Sequence, residues 1–92
     1  MATIHIPTPL RKFASNQSTV EAGGTTIKDS IHTLTEQHPD LKKHLLDEQG
    51  EIRRFVRIYL GDDDINSLEG EATQVENNSV ISIIPAIAGG KQ

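Results

Sequence analysis

The alternation of apolar and polar positions divides the 92-residue chain into short strands around one helical segment. Alternation predicts strands over 2–6 and 19–21. Pro7 and Pro9 end the first of them, because proline cannot donate a hydrogen bond to a neighbouring strand. Two strands this close in sequence favour an antiparallel hairpin.

The middle of the chain predicts one regular helix. Thr26 supplies a capping hydroxyl and Asp29 a negative charge in the first turn, and both are favourable at a helix start. One face carries residues at spacings of three and four: Ile27, Ile31, Leu34, His38, Leu41 and Leu45. Because Pro39 interrupts this stripe, we expect the helix to end near 37–38 and a looser turn to follow over 41–46.

The second half of the chain predicts the remaining strands. In 55–60, a period of two assigns an apolar set to the core, namely Val56, Ile58 and Leu60. The other set should face outward, and it comprises Phe55, Arg57 and Tyr59. A short edge strand is predicted over 65–68, and 80–84 has the composition of a central strand.

The order strand, strand, helix, strand, short strand, strand is typical of the α+β class. With the first and last strands adjacent, the topology is a β-grasp. We therefore expect a mixed sheet of four to five strands with one main helix packed across one face.

Composition narrows the functional classes. A chain of this length has little room for both a core and an internal pocket, which favours a binding or carrier module over an enzyme. The net charge of −4 and the three aromatic residues argue against a nucleic-acid partner. No apolar run approaches about 18 residues and no signal-peptide pattern is present, so we expect a soluble, cytoplasmic protein without membrane contact.

Motifs for chemistry within the chain are weak. The absence of cysteine excludes a disulfide framework, a thiolate zinc site and a thiol nucleophile. The four histidines lack the i, i+4 spacing of a helical metal site. The 62–64 aspartates lack the alternating spacing of a calcium loop, and the 23–26 segment lacks the lysine of a Walker loop. We expect no catalytic residue, no metal site and no bound cofactor.

The end of the chain carries the strongest signal. The last predicted strand runs through Pro85 into a short apolar stretch and the pair Gly89-Gly90. Glycine is thin enough to pass through a narrow slot, so this ending suggests a tail that enters another protein's active site. A frayed terminus without a role is the alternative. The predicted division is a β-grasp domain over 1–85 and a flexible tail over 86–92.

Four stretches together resemble the ubiquitin-like sulfur carriers of the MoaD/ThiS family. They are the segments IPTPLR (6–11), GGTT (23–26), RFVRIYL (54–60) and IIPAIAGG (83–90). The resemblance covers nearly the whole chain, and the last stretch is the most specific. Within the family, the sequence looks most like the CysO-type carriers of cysteine biosynthesis.

The resemblance implies that the chain is a substrate of other enzymes and not itself an enzyme. In the family, an E1-like enzyme uses ATP to adenylate the terminal glycine carboxylate, here that of Gly90, and a sulfur donor converts it to a thiocarboxylate. In the CysO-type pathway the sulfur attacks an aminoacrylate on a PLP-dependent cysteine synthase. A zinc-dependent JAMM-type metalloprotease then releases cysteine.

The sequence departs from the family pattern because Lys91-Gln92 follow Gly90 and hold its carboxyl group in a peptide bond. We expect a JAMM-type peptidase to cleave between Gly90 and Lys91. Other functions stay open: a molybdopterin or thiamine sulfur carrier, a ubiquitin-like protein modifier, or a non-covalent interaction domain if the two residues persist.

Two groups of residues are candidates for partner binding. The first surrounds the root of the tail and comprises Ile84, Pro85 and Ile87, with Ala88 and Gly89 leading to Gly90. The second is the outward set Phe55, Arg57 and Tyr59, because aromatic residues and arginine are common interface anchors. The basic concentration of Arg53, Arg54, Arg57, Lys42 and Lys43 favours a solvated face over a docking surface.

Overall fold

The computed structural model describes residues 1–85, which form a five-stranded sheet and two α-helices. The strands are β1 (Ala2–His5), β2 (Thr19–Ala22), β3 (Val56–Leu60), β4 (Asp63–Asp64) and β5 (Val80–Pro85). The helices are α1 (Ile27–Gln37) and α2 (Pro39–Leu45), and 3-10 turns span Thr8–Phe13, Ile65–Ser67 and Gly70–Ala72. In this part of the chain, neither helix has the length and apolarity needed to cross a bilayer.

The strands lie in the order β2-β1-β5-β3-β4. β1 and β2 form the predicted antiparallel hairpin, and β1 pairs in parallel with β5, so that Ile4 lies beside Ile81. β5 also pairs antiparallel with β3, which makes it a central strand. The predicted mixed sheet with adjacent first and last strands, the β-grasp, is confirmed.

The core lies between the sheet and the helices. In α1, Ile27, Ile31 and Leu34 are fully buried, as their helical spacing predicts. They belong to one apolar cluster with the inward side chains of the strands, including Ile58 and Ile81. Burial of each such side chain stabilises the fold by about 1.5–3 kcal/mol relative to exposure. The helical stripe therefore fixes α1 across one face of the sheet.

A network of short polar contacts sets the start of α1. The Thr26 hydroxyl accepts a hydrogen bond from the backbone N–H of Asp29 at 3.2 Å, which confirms Thr26 as the N-cap. In return, the Asp29 carboxylate accepts from the Thr25 hydroxyl at 3.1 Å and from the Thr25 backbone N–H. These bonds favour the charged carboxylate and lower the pKa of Asp29 below its usual value of 3.8.

The approach to this cap requires glycine at position 24. Gly24 has a φ of +130°, and a Cβ there would lie 2.7 Å from the Cβ of Asp29. Such a distance is shorter than side-chain carbons tolerate, and the backbone conformation is rare for other residues. Gly24 therefore serves the helix start.

The prediction of a looser turn over 41–46 is wrong. Residues Pro39–Leu45 form a second α-helix, and Leu41 and Leu45 are fully buried. Pro39 occupies the first turn of this helix, where its missing N–H would have had no partner within the helix. The proline therefore ends α1 at Gln37 but starts α2, and the apolar stripe continues across the break.

The predicted edge strand over 65–68 is also wrong. The edge strand β4 consists of Asp63–Asp64, paired with Tyr59 and Leu60 of β3. Ile65–Ser67 instead form a 3-10 turn, because the Asp64 side chain accepts a hydrogen bond from the Asn66 backbone N–H at 2.9 Å. Ile65 is buried in the core from this turn.

We expect Asp29 to make the stability of the fold dependent on pH in the acid range. Because its pKa is lower in the folded chain, its contribution is present above about pH 4 and is lost as the pH falls through the folded value. The stability difference between the wild type and Asp29→Asn should therefore be constant near neutral pH and shrink below about pH 4. Urea unfolding across this range measures it.

Glu36→Gln is the matched control, because Glu36 is an exposed carboxylate near the other end of α1. It removes one negative charge without touching the cap. An equal pH dependence in both variants would contradict the assignment to the Thr25–Asp29 contacts.

Candidate functional site

The last strand ends beside the start of β3. β5 lies between β1 and β3, and its final residue Pro85 pairs with Val56, the first residue of β3. The last described residue therefore lies beside the start of β3. The predicted tail residues lie outside the described residues, so their roles and the division at 85/86 stay predictions: Ile87, Ala88, Gly89, Gly90 and Lys91.

The outer face of the sheet, opposite the helices, carries a polar row that crosses all five strands. The strand registers align five residues in this row: Thr19, His5, Ser82, Tyr59 and Asp64. Sequence reasoning missed this row because the alternation within one strand does not reveal which residues of distant strands become neighbours.

On the tail side of this row the outer face becomes apolar and basic. Ile84 is 48% exposed and pairs with Arg57 across β5 and β3. Phe55, just before β3, is 49% exposed. Exposure of single large apolar residues is common in proteins, but these two flank the point where the tail begins. We call Phe55, Arg57, Tyr59 and Ile84 the outer patch.

An ion pair orients Arg57, the arginine of the outer patch. Arg57 donates to the Asp64 carboxylate at 3.2 Å, and the Arg57 side chain is 58% exposed. A pair this exposed contributes roughly 0–1 kcal/mol, so it orients Arg57 more than it stabilises the fold. Sequence analysis missed Asp64 as a neighbour of Arg57, because it placed the edge strand at 65–68. Only the pairing of β4 with β3 brings Asp64 beside Arg57.

Of the residues predicted to face outward from β3, Arg57 is confirmed, whereas the positions of Tyr59 and Phe55 differ in detail from the prediction. Tyr59 is only half-exposed, because it lies within the polar row between Ser82 of β5 and Asp64 of β4. Phe55 precedes the strand and lies in a turn, in which the backbone N–H of Val56 donates to the carbonyl of Arg53 at 3.0 Å. Of the predicted apolar set, Val56 and Ile58 are buried and Leu60 is half-buried.

Two of the four histidines pack against neighbouring elements. His44 in α2 stacks on Phe13 with 4.3 Å between ring centroids, which packs α2 against the first 3-10 turn. His38 is half-buried between α1 and α2. Among residues 1–85, no three His, Asp or Glu side chains converge in a way that could hold a metal ion. Within these residues the candidate site is a surface beside a tail.

The β-grasp sheet, with its first and last strands paired in parallel and a diglycine sequence after the last strand, defines a ubiquitin-like protein. The sequence model of the ThiS family matches residues 4–90, and the chain belongs to this family.

The relatives are sulfur carriers and small modifiers. Sulfur carrier protein CysO of Mycobacterium tuberculosis is 36% identical over 90 residues, covering 96% of this chain and 97% of the relative. The crystal structure of the Amycolatopsis orientalis BexX/CysO complex contains a chain with a TM-score of 0.88 and 32% identity, covering 98% of this chain and 100% of that one. The small archaeal modifier protein 1 of Methanosarcina acetivorans has a TM-score of 0.85 at 25% identity, covering 97% and 95%.

The opposite orientations of two neighbouring isoleucines lead to a direct test of the site. Ile83 is 3% exposed and Ile84 is 48% exposed. Ile83→Ala should lower the free energy of unfolding by about 2–5 kcal/mol, because it leaves a cavity in the core. Ile84→Ala should change it by no more than about 0.5 kcal/mol. Urea unfolding of both variants checks this, and equal losses would contradict an exposed Ile84.

Proposed function

We propose that the chain is a sulfur carrier of the CysO type, a protein substrate that other enzymes load and unload. The observation that carries this proposal is the extent of the family match, which runs through the whole domain and ends at Gly90. The match to CysO carriers over nearly the full length of both chains supports the subtype. The ending of a central strand, Pro85, apolar residues and Gly89-Gly90 suits a tail that is threaded into an active site.

The chemistry takes place on the carboxylate of Gly90. An oxygen of this carboxylate attacks the α-phosphate of ATP in the activating enzyme, and pyrophosphate leaves. The acyl-adenylate is a strong electrophile, so a sulfide-equivalent donor then displaces AMP and leaves a thiocarboxylate, –COS⁻. The sulfur is carried by the backbone terminus, which agrees with the absence of cysteine in the chain.

The domain supplies docking and not catalysis. The sheet fixes the position of Pro85 through its pairing with Val56, so a partner that binds the domain also positions the tail. The outer patch offers exposed apolar surface and one arginine beside this point. ATP belongs to the activating enzyme, and we propose no cofactor for the chain itself.

Loading requires that Gly90 be terminal. Lys91 and Gln92 follow it in the sequence, and a carboxyl group in a peptide bond cannot be adenylated. We therefore propose that a JAMM-type metalloprotease cleaves between Gly90 and Lys91 before activation. Such an enzyme would recognise the tail in the same extended form that the activating enzyme requires.

For the acceptor we propose cysteine synthesis. The thiocarboxylate sulfur adds to the aminoacrylate that a PLP-dependent cysteine synthase forms from an activated serine. An acyl shift from sulfur to nitrogen then joins the new cysteine to Gly90 through an amide bond, and hydrolysis of that bond releases it. The similarity to CysO carriers is the support for this acceptor over molybdopterin or thiamine precursors.

A second candidate function is protein modification, in which the activated Gly90 is joined to a lysine of a target. The similarity to the small archaeal modifier proteins supports it. Both functions pass through the acyl-adenylate of Gly90, so they differ only in the reaction that follows it. Isopeptide-linked adducts in cell extracts indicate modification, whereas a free thiocarboxylate indicates sulfur transfer.

The intact mass of the protein from its own cells tests trimming directly. We expect a species that ends at Gly90, part of which carries the mass gain of one oxygen replaced by sulfur. Treatment with an alkylating reagent should shift only the sulfur-containing species, because the chain has no cysteine to react. A homogeneous species that retains Lys91-Gln92 would overturn the carrier proposal and leave an interaction domain.

If partners dock at the tail root, a substitution there should slow activation of the chain without lowering the stability of its fold. In the chain ending at Gly90, Ile87→Asp should strongly slow ATP-dependent thiocarboxylation, because a charge replaces an apolar contact next to the reacting end. In the chain that retains Lys91-Gln92, the same substitution should leave the urea midpoint that of the parent. Val80→Asp is the matched control, because Val80 is also exposed but begins β5 at the end opposite Pro85. Normal thiocarboxylation of Ile87→Asp would sink this role.

A further inference from the structure

A cavity of about 480 Å³ opens on the helix side of the sheet, next to the tail root. Its apolar lining consists of Ile52, Val56, Ile58 and Ile65. Val56, Ile58 and Ile65 are at most 7% exposed, so their side chains belong to the core. The cavity therefore offers a preformed apolar recess, and the outer patch does not include it.

The rim of the cavity is basic. Arg53 and Arg54 line it, and Glu71 is the one carboxylate in the lining. Arg53 uses its Nε–H on the carbonyl of Lys43 at 2.9 Å, which leaves its other donors available. Within residues 1–85 the single ion pair closer than 4.0 Å joins Arg57 and Asp64, so neither rim arginine is neutralised there.

The position of the cavity relates it to the tail. Val56 lines the cavity and is also the residue with which Pro85 pairs. Ile81 and Ile83 of β5 point to the helix side. Ile87 follows Pro85 by two residues, which is at most about 7 Å of chain. The small residues Ala88, Gly89 and Gly90 follow.

We propose that this cavity is a docking site for the trimmed tail of the same chain. Ile87 occupies the apolar recess, and the carboxylate of Gly90 binds the guanidinium groups of Arg53 and Arg54. The order of groups along the tail matches the order of groups in the cavity. The branched apolar side chain of Ile87 suits the apolar lining, the small residues 88–90 follow, and the carboxylate at their end suits the basic rim. This inference rests on the proposed function in one respect, because only trimming gives Gly90 a carboxylate.

The docking site distinguishes the trimmed tail from the untrimmed one. Before cleavage, Gly90 has no charge, and the α-carboxylate two residues further, on Gln92, is offset by the Lys91 ammonium group, so the two rim arginines meet no net negative charge. After cleavage, the anion is attracted to them. A carrier protein would thereby shelter its reactive end until a partner with higher affinity withdraws it.

Amide NMR spectra of the full chain and of the chain ending at Gly90 test the proposal. The reporters are the backbone amides of Val56, Ile58 and Glu71, which lie around the cavity. We expect these amides to shift on trimming. The shift should be lost in Ile87→Ser and Arg54→Gln variants of the trimmed chain, and it should weaken as salt rises, because Arg54 is exposed.

Arg57→Gln in the trimmed chain is the matched control, because Arg57 is also next to the tail root but lies on the outer face. It should leave the cavity shifts intact. Cavity amides that are identical in the full and trimmed chains overturn the docking site, and so do shifts that Arg54→Gln and Arg57→Gln remove equally.

A separate activation assay keeps this inference distinct from the proposed function. If the trimmed chain is converted to the thiocarboxylate while its cavity amides do not shift, the docking site is overturned and the carrier function stands. If the cavity amides shift on trimming but the protein from its own cells always retains Lys91-Gln92, the docking site is supported as a binding property of this fold and the carrier function falls.

Discussion

The parallel pairing of β1 with β5 is the interaction on which the rest of the structure depends. It joins Ile4 to Ile81, two fully buried residues that are far apart in the sequence. Only when this contact is made does β5 become central, with β3 added on its other side and α1 covering the joined sheet. Such a long-range contact carries a large loop-closure cost, which the buried aliphatic residues of both strands offset.

The sequence predicted well those helices and strands whose formation depends on residues close to one another in the chain. The Thr26 cap, the helical stripe and the two central strands follow from neighbours within a few residues. α2 was missed because proline was treated only as an end, although at the first turn of a helix it is also a start. β4 has no strand-forming residues, and its existence depends on pairing with Tyr59 and Leu60.

The candidate site was predictable only where it depends on sequence order. The tail root and the diglycine ending are contiguous, so they could be found without a structure. The polar row on the outer face, the contact of Arg57 with Asp64 and the cavity beneath Arg54 arise from strand registers and from a turn. Those features unite residues from separate segments, and periodicity within one segment contains no information about them.

If Gly90 reacts as we propose, the pairing of Pro85 with Val56 also limits the reach of the reacting group. Five residues lead from Pro85 to Gly90, and a fully extended chain of five spans at most about 18 Å. Under the proposed function, an enzyme that acts on Gly90 would therefore hold its reacting atoms within that depth of the surface on which the domain rests. The same fold would then suit partners with shallow active sites and not those with deep ones.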